Sequence, residues 1–165
     1  MTDGMTMNTE LLQQASAFIW MEGDMLDHAE YDGWLNLWTA DGEYVIPIDP
    51  KETDFANTLN YAYDDAAMRA KRVQRLISGE SISTTPTART VRSISRLRLL
   101  EDGGDAITVR CAQDLREFRK DKLRQHTADI TYTLQRGGDH GFKIRSKVVR
   151  LINSTDTLTS VGYIL

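Results

Sequence analysis

Two segments in the second half of the chain alternate apolar and polar residues with a period of two. Apolar side chains fall at every second position from Ile107 to Cys111 and from Ala128 to Leu134, which is the pattern of a β-strand with one buried face. Glycine-containing segments, 101–105 and 136–139, separate the strand candidates, and glycine accepts the positive φ of a hairpin turn. We therefore expect consecutive strands to pair antiparallel. The strand candidates are Thr90 to Leu100, Ala106 to Phe118, His126 to Gln135, Phe142 to Ile152 and a last candidate at Leu158 to Ile164.

The first half of the chain has the spacing of helices. Apolar residues recur every three to four positions from Asn8 to Ala29, which predicts a long amphipathic helix. The elements predicted after it are a short helix capped by Asp32, a turn at Asp41-Gly42, a strand over 43–48, a loop over 49–63 and a helix from Asp64 through Ile77. Helices followed by a run of strands predict an α+β fold, with N-terminal helices packed on a strongly curved, mostly antiparallel β-sheet. The length suits a single domain over 1–165, in which 1–7 form a loose start.

The numbers of cysteines and histidines restrict the metal chemistry open to this chain. It has one cysteine, Cys111, whereas a Rieske cluster needs two cysteines and two histidines and a ferredoxin cluster needs four cysteines. The histidines His28, His126 and His140 are scattered and form no pair with metal-ligand spacing. We therefore expect no cofactor and no metal site in this chain.

Charge and hydropathy argue against a nucleic-acid-binding protein, a membrane-spanning protein and a secreted protein. The formal net charge of −4 argues against a nucleic acid as the main partner. No apolar run approaches the roughly 20 residues that cross a bilayer. The N-terminus carries Asp3 and no basic segment before an apolar one, so a secretory signal is not expected. Together with the single cysteine, these patterns predict a cytoplasmic protein.

Several carboxylates, tyrosines and one histidine are candidate acid–base groups, because a pocket can raise the pKa of a carboxylate or pair it with His or Tyr. The candidates are Asp27, Tyr31, Asp41, Tyr44, His126 and Tyr132, of which Asp41, His126 and Tyr132 form the alternative catalytic set. Caps and turns also favour aspartate, and tyrosines at alternate strand positions face a core. No spacing defines an acid–base pair, so the sequence alone assigns no catalytic residue.

Glu22 lies on the apolar face of the first predicted helix, beside Phe18 and Met25. A buried carboxylate without a partner is too costly in free energy. The sequence therefore predicts a structural ion pair, with Arg69 or Arg89 as the partner of Glu22.

A set of residues spread over nearly the whole chain resembles the small (β) subunit of the bacterial aromatic-ring-hydroxylating dioxygenases. The matching residues of the first half are Glu22, Met25-Leu26-Asp27, Tyr31, Trp34-Leu35, Asp41, Tyr44, Pro47, Asp65, Arg69 and Arg72. Those of the second half are Thr85-Pro86-Thr87-Ala88-Arg89, Arg119, Gly141-Phe142-Lys143-Ile144, Lys147, Val149, Leu151 and Asn153. Each motif is short, and it is their order and spacing from about Asn8 to Leu165 that carries the resemblance.

The resemblance implies a cone fold, with the sheet curved into a cone-shaped barrel, like that of nuclear transport factor two, scytalone dehydratase and ketosteroid isomerase. It also implies a hexamer of three large and three small subunits. In this family the large subunit carries a two-iron two-sulfur Rieske cluster and a mononuclear iron, and it hydroxylates an aromatic compound with O₂ and electrons from NADH or NADPH. The small subunit is non-catalytic and holds the assembly together. The alternatives are a standalone isomerase, dehydratase or cyclase with an internal pocket, and a binding or assembly module.

Arginines and tryptophans are the candidate residues for subunit contacts in such a hexamer. Three arginines of one predicted strand stand at even-numbered positions and so share a face, where they form a basic surface that is either solvated or set against acidic patches of the large subunit. The residues of this surface are Arg92, Arg96, Arg98, Arg110, Arg116 and Arg119. Trp20, Trp34 and Trp38 are predicted to pack in the core and at an interface. Contacts with neighbouring subunits are expected through Trp34, Arg92, Arg96 and the last strands.

Overall fold

The computed structural model describes residues 2–78, 88–153 and 164–165, with side chains from residue 8 onwards. The helices are α1 (Thr2–Asp27), α2 (Tyr31–Leu35) and α3 (Ala66–Ser78). The strands are β1 (Trp38–Pro47), β2 (Asn60–Asp64), β3 (Arg89–Asp102), β4 (Ala106–Arg119), β5 (Lys122–Arg136) and β6 (Phe142–Leu151), and a 3₁₀ turn covers Phe55–Asn57. The predicted last strand, except for Ile164, and residues 85–87 of the proline-containing motif lie outside the described residues.

Six strands form one mixed sheet in the order β2-β1-β6-β5-β4-β3. The strands β3 to β6 pair antiparallel in chain order, while β1 pairs antiparallel with β2 and parallel with β6. The predicted antiparallel run of strands and the α+β class are therefore confirmed. Within the described residues β2 and β3 are the edge strands, so the sheet is not closed into a barrel.

The hydrophobic core lies between the helices and one face of the sheet. Helix α1 contributes Ala15, Phe18 and Ile19, and alternate residues of β4 and β5 belong to the same core. The sheet residues in this group include Ile107, Val109, Cys111, Leu115, Ile130, Tyr132 and Leu134. Apart from Leu115, they are residues that the period-two alternation predicted to be buried, so that interpretation is confirmed.

The turn between β4 and β5 is tighter than the sequence predicts. The two strands extend to Arg119 and from Lys122, and Lys120 and Asp121 between them have φ values of 52° and 61°. Two consecutive residues with positive φ are typical of a two-residue type I′ hairpin, which usually contains glycine. The predicted end of β4 at Phe118 is one residue short, and the predicted start of β5 at His126 lies four residues too late, because no glycine marks this turn.

In the first half of the chain, regular helix and strand extend into segments that were predicted to be loose, a turn or a loop. Helix α1 already includes residues 2–7, which were expected to be loose, and Asp32 lies inside the first turn of α2 rather than at its cap, which is Glu30. The pair Asp41-Gly42 is not a turn but part of β1, in a stretch where the pairing with β6 shifts register. The predicted loop over 49–63 contains most of β2. A short edge strand such as β2 carries too little alternation to be recognised from sequence.

A bulge in β3 overturns the prediction that its arginines share one face. The register with β4 shifts between Ser95 and Arg98, and Arg96 has a φ of 55°. Because the extra residue changes the phase of the alternation, Arg92 faces the core side while Arg96 and Arg98 are exposed on the opposite side. The predicted continuous basic surface is therefore wrong for Arg92.

Replacing Gly42 by Ala is expected to destabilise the fold by about 1–3 kcal/mol, the usual cost of overpacking a core. A Cβ at this position would lie 2.8 Å from Trp38 Cε3 and 2.9 Å from the Ile144 carbonyl oxygen. Thermal unfolding measures the effect. Gly33→Ala is the matched control, since its Cβ would meet only the Met25 side chain, at 3.6 Å from Cε and 3.9 Å from Sδ. Equal melting temperatures for the two variants would contradict this account.

Candidate functional site

The interior of the molecule contains a fully buried polar cluster, here called the Glu22 cluster, formed by Glu22, Trp34, Tyr132 and Lys147. Glu22 Oε2 accepts hydrogen bonds from Trp34 Nε1 and from Lys147 Nζ, both at 2.8 Å. Glu22 Oε1 accepts from the Tyr132 hydroxyl at 2.7 Å and from Lys147 Nζ at 3.1 Å. The cluster therefore joins α1, α2, β5 and β6 around one carboxylate.

The charged state of the cluster follows from opposing effects on each pKa. Burial raises the pKa of Glu22, but the charge of Lys147 and the hydrogen bonds from Lys147, Trp34 and Tyr132 outweigh it and hold this pKa below its usual range. Burial lowers the pKa of Lys147, and Glu22 opposes that effect. Burial and the neighbouring Glu22 charge raise the pKa of Tyr132 well above its usual value, so its hydroxyl remains a donor. The cluster is an ion pair with a neutral tyrosine and indole as additional donors.

The predicted ion pair of Glu22 is confirmed, but neither predicted partner is correct. Arg69 stacks on the Trp38 ring, with its guanidinium carbon 4.1 Å from the ring centroid, and donates a hydrogen bond to the Gly42 carbonyl. Arg89 is exposed at the start of β3. The partner is Lys147, a lone lysine in the otherwise apolar inner face of β6, and that isolation was the sequence signal that could have identified it.

A second, partly buried contact network, here called the Asp27 latch, ties the end of α1 to β3. Asp27 accepts hydrogen bonds from the Thr90 hydroxyl at 2.8 Å and from the Arg92 backbone N–H at 3.0 Å, and its Oδ1 lies 3.3 Å from Arg92 Nε. Arg92 Nη2 in turn donates to the Ile164 carbonyl at 2.8 Å. The latch therefore connects α1, the edge strand β3 and the segment 164–165.

Residues 164–165 occupy space inside the core beside Tyr44. Ile164 and Leu165 are buried, and the Leu165 backbone N–H donates to the Tyr44 hydroxyl at 2.9 Å. Burial raises the pKa of Tyr44 to about 12, so this hydroxyl is neutral at physiological pH. Its position in the core matches the prediction that Tyr44 faces inwards.

The structure does not bring the alternative catalytic set together. Asp41 is exposed and accepts a hydrogen bond from Thr39 Oγ1 at 2.8 Å. His126 and Tyr132 are six residues apart on β5, and at a rise of ~3.3 Å per residue they are roughly 20 Å apart. Tyr132 is committed to the Glu22 cluster. These three residues therefore form no acid–base site.

His126 has its own environment at the far end of the inner sheet face. Its Nε2 lies 3.9 Å from Glu117 Oε1, and both side chains are buried. Burial lowers the pKa of His126, and the Glu117 charge opposes that shift. His126 is therefore a buried strand residue that lies beside the Glu117 carboxylate.

The three residues expected at subunit contacts have different positions in the structure. Trp34 is completely buried inside this chain and donates to Glu22, so it offers no surface to a neighbour. The Arg92 side chain is only 2% exposed and belongs to the Asp27 latch. Arg96 is exposed and pairs with Asp129 at 2.6 Å. Of the three, only Arg96 lies where another subunit can reach it.

The part of the chain that the structure describes contains neither a grouped set of metal ligands nor a membrane-spanning helix. Within residues 2–78, 88–153 and 164–165, no three His, Cys, Asp or Glu side chains are grouped so that they could hold a metal ion. No described helix combines the length and the apolar character needed to span a membrane.

Cys111 is expected to be unreactive towards iodoacetamide in the native protein and to react once the protein is unfolded. The side chain is fully buried, and burial raises the pKa of its thiol to about 12, so almost no thiolate is present at neutral pH. Mass spectrometry before and after denaturation in guanidinium measures the modification. Equal labelling rates in the two states would contradict the buried position of Cys111.

The sequence and the fold match those of known proteins. The benzoate 1,2-dioxygenase subunit beta of Acinetobacter baylyi is 28% identical over 153 residues, which cover 89% of each chain. The beta subunit of the benzoate 1,2-dioxygenase from Burkholderia mallei has a solved structure that superposes with a TM-score of 0.73 at 26% identity, covering 91% of this chain and 95% of that one. An NTF2-like protein with a cystatin-like fold from Novosphingobium aromaticivorans superposes with a TM-score of 0.58 at 15% identity, over 90% of this chain and 88% of that one, which concerns the fold alone.

These structural matches confirm the cone fold that the sequence resemblance implied. The model of the family described as the ring hydroxylating beta subunit matches residues 21–157, a range that contains Glu22, Trp34, Tyr132 and Lys147. That match spans most of the chain, and with it the chain belongs to the family of ring-hydroxylating dioxygenase beta subunits.

Proposed function

We propose that this chain is a non-catalytic structural subunit of a cytoplasmic oxygenase complex that hydroxylates an aromatic compound. The observation that carries the proposal is the family match over residues 21–157. In the proposed complex, three copies of this chain and three large subunits form a hexamer. The large subunit binds the aromatic ring and O₂, and this chain stabilises the assembly.

The use of polar groups inside the core supports a structural role. Both oxygens of Glu22 accept hydrogen bonds from side chains of the same molecule, and the Tyr132 hydroxyl is one of the donors. The Tyr44 hydroxyl is bonded to Leu165. The acid–base groups that a cone-fold enzyme would present to a ligand are, in this chain, engaged in holding secondary-structure elements together. The alternative of a standalone isomerase, dehydratase or cyclase is therefore not favoured.

The iron centres are proposed to reside in the large subunit. A Rieske cluster requires two cysteines and two histidines, and this chain has Cys111 alone, a buried thiol whose pKa burial raises. One cysteine does not supply the ligand set of a Rieske cluster, and no three His, Cys, Asp or Glu side chains of the described residues are grouped to hold a mononuclear iron. The electrons from NADH or NADPH would reach the large subunit through a separate reductase.

Co-expression with a large subunit that carries the two-cysteine, two-histidine cluster motif tests the proposal. We expect the two chains to co-purify as a single hexameric species, and we expect hydroxylation of an aromatic substrate, with benzoate tested first, only when the large subunit is present. A chain that remains a free monomer or dimer beside its large subunit would contradict the proposal. Turnover of a small aromatic or keto compound by this chain alone would support the enzyme alternative.

A further inference from the structure

Residues 164–165 are buried in the core although they belong to neither a helix nor a strand. Ile164 is 2% exposed and Leu165 is 1% exposed, and both are members of the main hydrophobic core. Helix packing and strand pairing therefore do not account for their position. Specific contacts with the rest of the chain have to hold this short segment inside.

Two side chains bind the single peptide group that joins Ile164 to Leu165. Arg92 Nη2 donates a hydrogen bond to the Ile164 carbonyl oxygen at 2.8 Å, and the Leu165 N–H donates to the Tyr44 hydroxyl oxygen at 2.9 Å. Both polar atoms of this peptide group are thereby paired in the core, where an unpaired one would be costly. A donor and an acceptor placed on the two sides of one amide are also what a binding site offers to the amide of a ligand.

The two side chains that bind this peptide group come from strands that are far apart in the sheet. Tyr44 lies in β1 and Arg92 in β3, with β6, β5 and β4 between them. On a flat sheet, with strands ~4.8 Å apart and side chains perpendicular to it, the two side chains would stand about 19 Å apart. Because both contact one peptide group, Tyr44 Oη and Arg92 Nη2 are within roughly 8 Å of each other. The sheet therefore curves around residues 164–165, which lie in its concavity.

The polar groups in this concavity suit a neutral amide better than an anion. The Arg92 guanidinium already has a carboxylate beside it, with Asp27 Oδ1 3.3 Å from Arg92 Nε. The Tyr44 hydroxyl is neutral, since burial raises its pKa to about 12. A second anion next to Asp27 would lose its hydration and meet a like charge. An amide instead brings one acceptor for Arg92 and one donor for Tyr44, without a charge.

The concavity also has hydrogen-bonding groups that residues 164–165 do not use. Arg92 Nη1 and Gln113 Oε1 are buried and have no hydrogen-bond partner among the described residues. Arg92 pairs with Leu115 across the β3–β4 ladder, and Gln113 is two residues from Leu115, so Arg92 and Gln113 are diagonal neighbours on the same face. A buried donor and a buried acceptor without partners are typical of a site that takes a polar group from a ligand or a water molecule.

We propose that the concave side of the sheet is a binding pocket for neutral amides flanked by apolar groups, and that Ile164 and Leu165 occupy it as an intramolecular ligand. Tyr44 and Arg92 recognise the amide, and the surrounding core side chains contact its apolar substituents. A tethered ligand has a high effective concentration, so the pocket is closed to free amides in the wild-type chain. It opens when residues 164–165 lose the side chains that hold them in the core. The inference concerns this chain alone and is independent of its place in an oxygenase complex.

Titration of the full chain carrying Ile164→Gly/Leu165→Gly tests the pocket. Glycine keeps the backbone but removes both buried side chains, so the segment loses the apolar burial that holds it. We expect N-acetyl-isoleucyl-leucine amide and N-methylbenzamide to bind this variant in isothermal titration calorimetry and to raise its melting temperature. The wild type is expected to bind neither compound. Ile152→Gly is the matched control, because Ile152 is exposed just after β6, and it too is expected to bind neither.

A third substitution and two comparison ligands test whether the amide itself is recognised. Adding Tyr44→Phe to the double glycine variant removes only the hydroxyl, and it is expected to weaken binding of the dipeptide amide about three- to tenfold, the effect of one lost hydrogen bond. Benzoate resembles N-methylbenzamide in shape but carries a charge, and toluene lacks the amide. Both are expected to bind the double variant at least about tenfold more weakly than N-methylbenzamide.

Several results would overturn the inference. They are a folded double variant that binds neither amide, an affinity for benzoate equal to that for N-methylbenzamide, and an affinity for the dipeptide amide that Tyr44→Phe leaves unchanged. If circular dichroism shows that the double variant is unfolded, Leu165→Ala replaces it. The dipeptide amide then competes with a weakened segment and is still expected to raise the melting temperature, whereas an unchanged melting temperature would contradict the pocket.

Discussion

Replacing Lys147 by Met is expected to lower the free energy of unfolding by about 3–5 kcal/mol, the cost of leaving a buried charge without its partner. Methionine keeps much of the volume of the lysine chain, so the loss comes from the charge rather than from a cavity. Glu22 would retain hydrogen bonds from Trp34 and Tyr132 but no counter-charge. Chemical denaturation in urea at neutral pH measures the difference.

The pH dependence of the same variant gives a second, independent check. In the wild type the pKa of Glu22 is lowered, so its contribution to stability is present above the unfolded-state value of about 4.3 and is lost as the pH falls through the folded value. Without Lys147, burial would dominate and raise the pKa of Glu22. Its protonated form would then be favoured, so the stability gap between wild type and variant is expected to shrink on acidification.

The matched control is the double variant Glu22→Gln/Lys147→Met, which removes both charges. It is expected to be more stable than Lys147→Met at neutral pH, because no uncompensated charge remains in the core. Glu22→Gln alone is expected to destabilise the protein, since Lys147 would lose its counter-ion. An unchanged melting temperature for Glu22→Gln would contradict the role assigned to the Glu22 cluster.

Replacing Asp27 by Ala is expected to destabilise the protein by about 3 kcal/mol, because Arg92 would keep its buried charge and lose the carboxylate beside it. The variant also removes the acceptor for the Thr90 hydroxyl and for the Arg92 N–H. The end of α1 would then be held less firmly against β3. Hydrogen exchange of the β3 amides, together with urea denaturation, measures both effects.

Asp24→Ala is the control for the loss of a carboxylate from the same helix. Asp24 pairs with His28 at 3.2 Å, and both side chains are 68% exposed, so solvent screens the pair. Its removal is expected to leave the urea midpoint and the exchange of β3 unchanged. Equal destabilisation by Asp24→Ala and Asp27→Ala would contradict the stabilising role assigned to the Asp27 latch.

The sheet illustrates how far local patterns determine the fold. The alternation from Ile107 to Cys111 and from Ala128 to Leu134 predicted which side chains are buried, because side chains of a strand point to opposite faces at every step. An extra residue in a strand shifts the alternation, so that the side chains beyond it point to the other face, as happens at the Arg96 bulge in β3. A bulge depends on the fit between two strands, so one strand's sequence does not reveal it.

The Glu22 cluster shows most clearly what the sequence predicts and what only the folded structure decides. A carboxylate on an apolar helix face requires a buried partner, and that requirement follows from Glu22 and its neighbours alone. The identity of the partner depends on which strand lies opposite α1, and Lys147 is 125 residues away in the chain. The burial of Trp34 and Arg92, which were expected at subunit contacts, is likewise a consequence of packing.

The sequence by itself determined the α+β class, the antiparallel order of β3 to β6, the family, and the need of Glu22 for a counter-charge. It did so because these properties depend on periodicity, composition and motif order along the chain. The tertiary structure alone decided that Lys147 is the counter-ion, that Asp41, His126 and Tyr132 lie apart, and that Trp34 and Arg92 are buried. These properties depend on distances between residues that are remote in sequence, and folding brings such residues together only through the packing of the whole domain.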